Sequence, residues 1–288
     1  MKNKKAQMRK SLIGIIVVII TAGILFLFMN QFSEVFSGTS DKETCRTSVN
    51  LRAGIIEKGF WSESAIKLPP LKCQTEYKCL SKDGDCGGNY EKVKVKDDAE
   101  IKKEISGIMY ECWDMLGKGE KPFIGSWEGG LLKNDKVCVI CSVIDFDDTI
   151  KSQKEISGLG KYMYETKVPG KNFTYMQFIS NNNNPEFVSD SEDKINTQKK
   201  QSIIFIIGKT AAIKSVLAGT IAGAGSGALI GIIIPVVGSA TIGGVGAVVG
   251  GISGLITGTA YKSEYSTSLL LVPHESVSEY CKDLKSAI

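Results

Sequence analysis

Hydrophobic positions along this chain change their spacing several times, and each change predicts an element. Ser11 to Met29 is an unbroken apolar run of nineteen residues without a charge. As a helix it is about 28 Å long, close to one hydrocarbon core. Cys45, Val49, Ala53 and Ile56 then recur at helical spacing. Pro69-Pro70 forces an extended entry into a strand expected over Leu71 to Leu80, and Ser81-Lys-Asp-Gly-Asp85 predicts a hairpin turn. A helix is expected over Asp97 to Leu116, with Asp97 and Glu100 in a capping-box-like start and Gly117 as its stop. Its stripe is Ile101, Ile105, Ile108, Cys112 and Met115, with Trp113 at the edge as a packing residue.

Lys136 to Asp147 is apolar on both alternating faces and predicts a strand covered on two sides. A short helix over Ser157 to Glu165, a strand near Phe173 to Ile179 and a polar loop through Asn181 to Asn184 come next. Ser202 to Ile207 and Ser268 to Val272 predict two buried strands, and Val277, Cys281 and Leu284 one face of a closing helix. The pattern is α+β, with a mostly antiparallel sheet.

Charge and cysteine placement then fix an expected topology. The formal net charge is +4, but Lys2, Lys4, Lys5, Arg9 and Lys10 alone supply +5, so the remainder sums to −1. That argues against nucleic acid as a partner, which needs a basic folded surface. Positive charge before the span and none just after it predicts an uncleaved anchor with a cytoplasmic amino terminus. All eight cysteines (Cys45, Cys73, Cys79, Cys86, Cys112, Cys138, Cys141 and Cys281) come after the span, as disulfides in an oxidising exterior would. Eight cysteines allow 105 pairings. The bridge the pattern favours is Cys79–Cys86, across the expected hairpin turn.

Cys138 and Cys141 form a C-x-x-C, which raises a thiol-oxidoreductase reading. In a strand, however, residues three apart face opposite ways, and the redox motif needs its first cysteine at a helix amino terminus. Structural bridging is the favoured reading. A single histidine and no second C-x-x-C argue against zinc. His274, beside Pro273, is read as a local hydrogen-bonding residue. Asn172-Phe173-Thr174 is an N-glycosylation triplet. No catalytic residue and no cofactor is assigned, so the chain is expected not to be an enzyme.

Cys112-Trp113, Gly117-x-Gly119, Cys138-x-x-Cys141-Ser142, the stretch Tyr162 to Gly170 and a closing LLLVP resemble membrane-anchored, cysteine-rich exported proteins of archaea. The resemblance covers roughly residues 45 to 180 and the last twenty or so. No activity comes with it.

The sequence departs from that group in its most unusual stretch. Ser215 to Tyr261 is forty-seven residues without a charge, and thirteen of the chain's 31 glycines lie in it. Gly219, Gly223, Gly227 and Gly231 form one ladder at spacing four, and Gly246, Gly250, Gly254 and Gly258 a second. Pro235 and Gly238 stand between them. The pattern predicts a glycine-zipper helical hairpin whose bare faces meet closely. In water each interior glycine costs about 1 kcal/mol of helix relative to alanine. In lipid the unpaired backbone costs more, so the helix survives. Glycine every fourth residue also falls on one face of a strand, so spacing alone leaves β structure open. A conditionally inserting hairpin and a buried soluble element stay open as well.

Four segments result: a basic tail and anchor (1–30), an exported α+β domain (31–208), a membrane hairpin (209–262) and a closing strand and helix (263–288). The expected function is a membrane-anchored exported protein whose hairpin enters a lipid bilayer and self-associates, as a pore or a membrane perturbation. The alternative is a cell-surface binding or envelope-scaffold protein with the hairpin as passive tether. A thiol-disulfide enzyme ranks third. The expected partners are the lipid bilayer, a second copy through the hairpin, or a cell-surface protein.

Overall fold

The computed structural model describes Ile20 and residues 41–56, 69–83, 86–121, 123–124, 136–181, 183, 194–209, 255–258 and 265–281. The chain divides into two units, Met1–Glu43 and Thr44–Ile288, and the second carries the sheet and its core. The expected span Ser11–Met29 falls outside the described residues apart from Ile20. Among those residues no helix is long and apolar enough to cross a membrane.

A helix, α1, runs over 41–56, and Cys45, Val49 and Ala53 are buried along it. Strand β1 (Glu76–Ser81) begins later than the prolines suggest, and β2 (Glu91–Lys94) comes after the turn. The turn sequence predicts an antiparallel hairpin, but the two strands are parallel, with Cys79 opposite Lys92 and Leu80 opposite Val93. Helix α2 (Asp98–Met115) carries the chain back along the sheet before β3 (Lys136–Phe146), so β2, α2 and β3 form a crossover unit that makes its strands parallel. Accordingly β1 also pairs with β3 in parallel.

Helix α2 starts and stops where its sequence requires. The Asp97 carboxylate accepts from the Glu100 amide at 2.9 Å, and the Glu100 carboxylate accepts from the Lys96 amide at 2.7 Å. At its far end Gly117 has φ 76°, the left-handed geometry that costs glycine least. Ile101, Ile105, Ile108, Cys112, Trp113 and Met115 are all buried.

Beyond β3 come α3 (Asp148–Lys151), β4 (Glu155–Ser157), α4 (Leu159–Glu165) and α5 (Tyr175–Ser180). The strand expected near Phe173 to Ile179 is therefore a helix. Its aromatic composition favours β, but Thr174 and Gln177 make a reciprocal capping box that fixes the first turn. Strand β5 (Lys194–Asn196) pairs with β4 as a small separate ladder. Strands β6 (Gln201–Lys209), β7 (Leu255–Gly258) and β8 (Tyr265–Pro273) complete the main sheet, in the order β2-β1-β3-β6-β8-β7. Three of its five strand pairs, from β3 to β7, are antiparallel and the two at β1 and β2 are parallel, so the sheet is mostly antiparallel, as expected, with a parallel edge.

The two faces of this sheet are covered unequally. On the first, α1, α2, α4 and α5 close a broad core with Phe205, Leu269 and Leu271 at its floor. On the second, Ile204, Ile206, Leu270 and Val272 are covered by the chain's last described turn, α6 (Val277–Tyr280), with Cys281. The closing helix is thus four residues long. Leu284, expected on its apolar face, lies outside the described residues.

Candidate functional site

The eight cysteines form four bonds: Cys45–Cys73, Cys79–Cys86, Cys112–Cys141 and Cys138–Cys281. Cys79–Cys86 is the bridge the turn sequence predicts, although it closes a loop between parallel strands. The C-x-x-C behaves as strand parity requires. Cys141 faces the broad core and bonds to α2, while Cys138 faces the opposite side and bonds to the terminal segment. A bulge lies between Ile140 and Ser142, so Cys141 can reach α2 without disturbing the register of β3 before it. Each sulfur is bound to a distant partner, so this pair is not a dithiol centre.

His274 sits at the start of a 3-10 turn (His274–Ser276) that leads from β8 into α6. Its amide donates to the Lys200 carbonyl at 2.8 Å, and its Nδ1 lies 2.7 Å from the Ser202 hydroxyl. Ser202 is fully buried between β3 and β8, where no substrate reaches it. The contact fixes the turn that covers the second face, so His274 hydrogen-bonds as expected, but to a partner 72 residues away and not to a local one. Among the described residues no cluster of His, Cys, Asp and Glu could hold a metal ion.

The glycine segment has a defined root. Strands β6 and β8, which flank it in sequence, are hydrogen-bonded neighbours, with Lys209 opposite Tyr265. The chain leaves the sheet at Lys209 and re-enters it at Leu255 of β7, beyond β8 and opposite Leu270, before β8 pairs with β6. One part of the expected helical hairpin is corrected. Gly258, placed on the second glycine ladder, lies in β7, with Gly258 opposite Thr267 and Leu255 opposite Leu270. Leu-Ile-Thr beside the open edge of β8 gains backbone hydrogen bonds that glycine spacing does not announce. Gly219, Gly223, Gly227, Gly231, Gly246, Gly250 and Gly254 fall outside the described residues.

Below that root the packing is tight. Gly119 has φ 69°, and a Cβ there would meet Thr267 Oγ1 at 2.3 Å and the Trp113 ring at 2.7 Å. Trp113 packs on Phe205 with ring centroids 5.6 Å apart. Trp113 Nε1 and Thr267 Oγ1 are both buried without a hydrogen-bond partner. Gly119 is thus a residue the fold needs here, and the sequence marks it only by its Gly-Lys-Gly context.

A second cluster has no signal in the sequence at all. Beside the part of the second face that α6 covers, Tyr77 is 51% exposed and meets Tyr90 edge-on, with centroids 6.3 Å apart. Lys200 hydrogen-bonds the Tyr90 hydroxyl, lies over its ring and reaches Asp145 at 3.4 Å. Burial alone would raise the Asp145 carboxyl. Hydrogen bonds from Lys151 and the Phe146 amide, with the charges of Lys151 and Lys200, bring it below its ordinary range. The hydrogen bond to Tyr90, opposed by slight burial and aided by Asp145, raises Lys200 above its ordinary range. These groups come from β1, β3 and the loops before β2 and β6, so no local pattern could have joined them.

Asn172 is exposed on the loop before α5. Comparison of the whole chain with family models, with curated proteins and with solved structures finds no match, so the reading of function rests on the residues themselves.

Proposed function

We propose that this is a non-enzymatic, membrane-anchored exported protein whose uncharged glycine segment engages a lipid bilayer and associates there with a second copy. The observation that carries the reading is the direct pairing of β6 with β8, which closes the sheet across the segment. Because the flanking strands β6 and β8 pair directly with each other, the segment between them can reach into a separate phase while the domain behind it stays closed. The stretch free of other assignment, 210 to 254, keeps seven of the eight ladder glycines and one charge, Lys214. In water such a glycine content disfavours isolated helix, whereas in lipid unpaired backbone is worse still. Four disulfides support an oxidising location outside the cytoplasm.

The reading is tested by Gly223→Leu and Gly250→Leu in the detergent-solubilised full chain. Each should shift the protein toward monomer while the disulfide map stays intact. Unchanged oligomer size in both would refute self-association through the ladders.

A second reading, a cell-surface binding protein with the segment as passive tether, is favoured by the exposed Tyr77–Tyr90 pair beside Lys200 and Asp145. Under it, Tyr77→Ala abolishes attachment to the partner cell surface and both glycine variants leave it unchanged.

A further inference from the structure

We infer that Asn172 is the acceptor of an N-linked glycan whose first sugar lies against an aromatic shelf formed by Phe173 and Phe178. The inference rests on the exported placement proposed above. Asn172-Phe173-Thr174 is the one Asn-x-Ser/Thr triplet in the chain. Taken alone, such a triplet is weak. Its setting adds three observations.

First, the loop that carries it is built as a rigid presentation device. Lys171 donates to the Val168 carbonyl at 3.0 Å, with Pro169 and Gly170 (φ 72°) at the central positions of a tight turn. Val168 in turn donates to the Phe173 carbonyl at 3.0 Å, and Lys167 bridges to Thr174. Asn172 is exposed on this closed loop. Second, the aromatic residue at the middle of the triplet is part of a surface. Phe173 stacks on Phe178 at 5.4 Å and 13°, and Tyr110 meets Phe178 at 4.3 Å. Both phenylalanines are half-buried, and Lys118 Nζ lies over the Phe178 ring at 5.0 Å, so a pyranose at Asn172 would meet the remaining exposed area of the pair, mainly that of Phe173. Third, Thr174 has two duties. Its hydroxyl caps α5 by accepting from the Gln177 amide at 3.2 Å, and it is the hydroxyl residue the triplet requires.

The chemistry is a substitution at an anomeric carbon. The Asn172 amide nitrogen displaces the phosphate of a lipid-linked oligosaccharide. A carbon–nitrogen bond forms, the carbon–oxygen bond to phosphate breaks, and the amide proton is lost to base. No electrons are transferred.

The test is mass spectrometry of peptides spanning Asn172 from the full chain, purified from the cells that make it, with the disulfides mapped on the same sample. A saccharide mass is expected on that peptide in the wild-type chain and in Thr174→Ser, which keeps both cap and triplet. It should vanish in Asn172→Gln, which leaves the α5 cap intact. A bare peptide in a chain whose eight cysteines are oxidised overturns the glycan while leaving the exported placement standing. Free thiols overturn the placement and the glycan with it. The shelf has its own readout. Phe178→Ala should lower the Tm of the glycosylated chain further than it lowers that of Asn172→Gln, and equal losses would refute the stacking.

Discussion

The two faces of the central sheet are held by different means. On the first, four helices bury a broad core, and Cys112–Cys141 adds a covalent tie where packing is already dense. On the second, one short turn covers Ile204, Ile206, Leu270 and Val272, and Cys138–Cys281 is the covalent tie that keeps it there. A bond added to a full core is largely redundant, whereas a bond that secures a four-residue helix decides whether that helix exists, since so short a helix has no stability of its own.

The largest expected effect tests the crowded face. Trp113→Ala removes a fully buried ring packed on Phe205 and should cost about 3–5 kcal/mol in urea unfolding, without releasing the terminal segment. Next is the thin face. Replacing Cys138 and Cys281 together by serine should cost about 2–4 kcal/mol and abolish amide-exchange protection over residues 277–281. The loop it closes spans 143 residues against 29 for Cys112–Cys141. On the chain-entropy account that difference is worth about 1.4 kcal/mol. Should losing Cys112–Cys141 prove the more damaging, the contrast between the faces fails.

A third prediction uses pH. Burial in the thin face, aided by the charge of Glu279, pushes the Tyr280 hydroxyl up to about 12. Below the ordinary tyrosine range both folded and unfolded states keep the proton, so this stabilising term is fully present. As pH rises from about 10 toward 12 only the unfolded chain ionises, and roughly 1–3 kcal/mol of stability should be lost. Tyr280→Phe should remove that alkaline loss while leaving the neutral-pH fold intact. An unchanged alkaline profile in this variant would show that Tyr280 is not buried as described. The smallest effect is at a helix end. Asp97→Ala removes the cap of α2 and should cost about 1 kcal/mol, seen as faster exchange in its first turn alone.

These contrasts also explain what the sequence could carry. Helix α2 is legible because its cap, stripe and stop all lie within about twenty residues, and β6 beside β8 because both strands are apolar through their middles. The opposed faces of Cys138 and Cys141 come from parity alone. The parallel β1–β2 pair is not legible, since the turn residues Ser81 to Asp85 favour an antiparallel hairpin and no local pattern marks how the chain re-enters the sheet at Glu91. Helix α5 is obscured by its aromatic residues, although Thr174 and Gln177 hold its start in plain view. Gly258 shows the same limit in the glycine segment, because spacing of four suits a helix or a strand and a vacant edge on β8 decides. Ser202 with His274, and Tyr90 with Lys200, are 72 and 110 residues apart, and only the folded sheet brings them together.

Limited proteolysis of sealed native-membrane vesicles, read peptide by peptide across residues 209–262, tests the proposed role most directly. If lipid receives the segment, peptides from 215 to 250 stay protected until detergent is added, whichever side of the vesicle is exposed. Cleavage there in intact vesicles, as fast as in exposed loops of the domain, would contradict it.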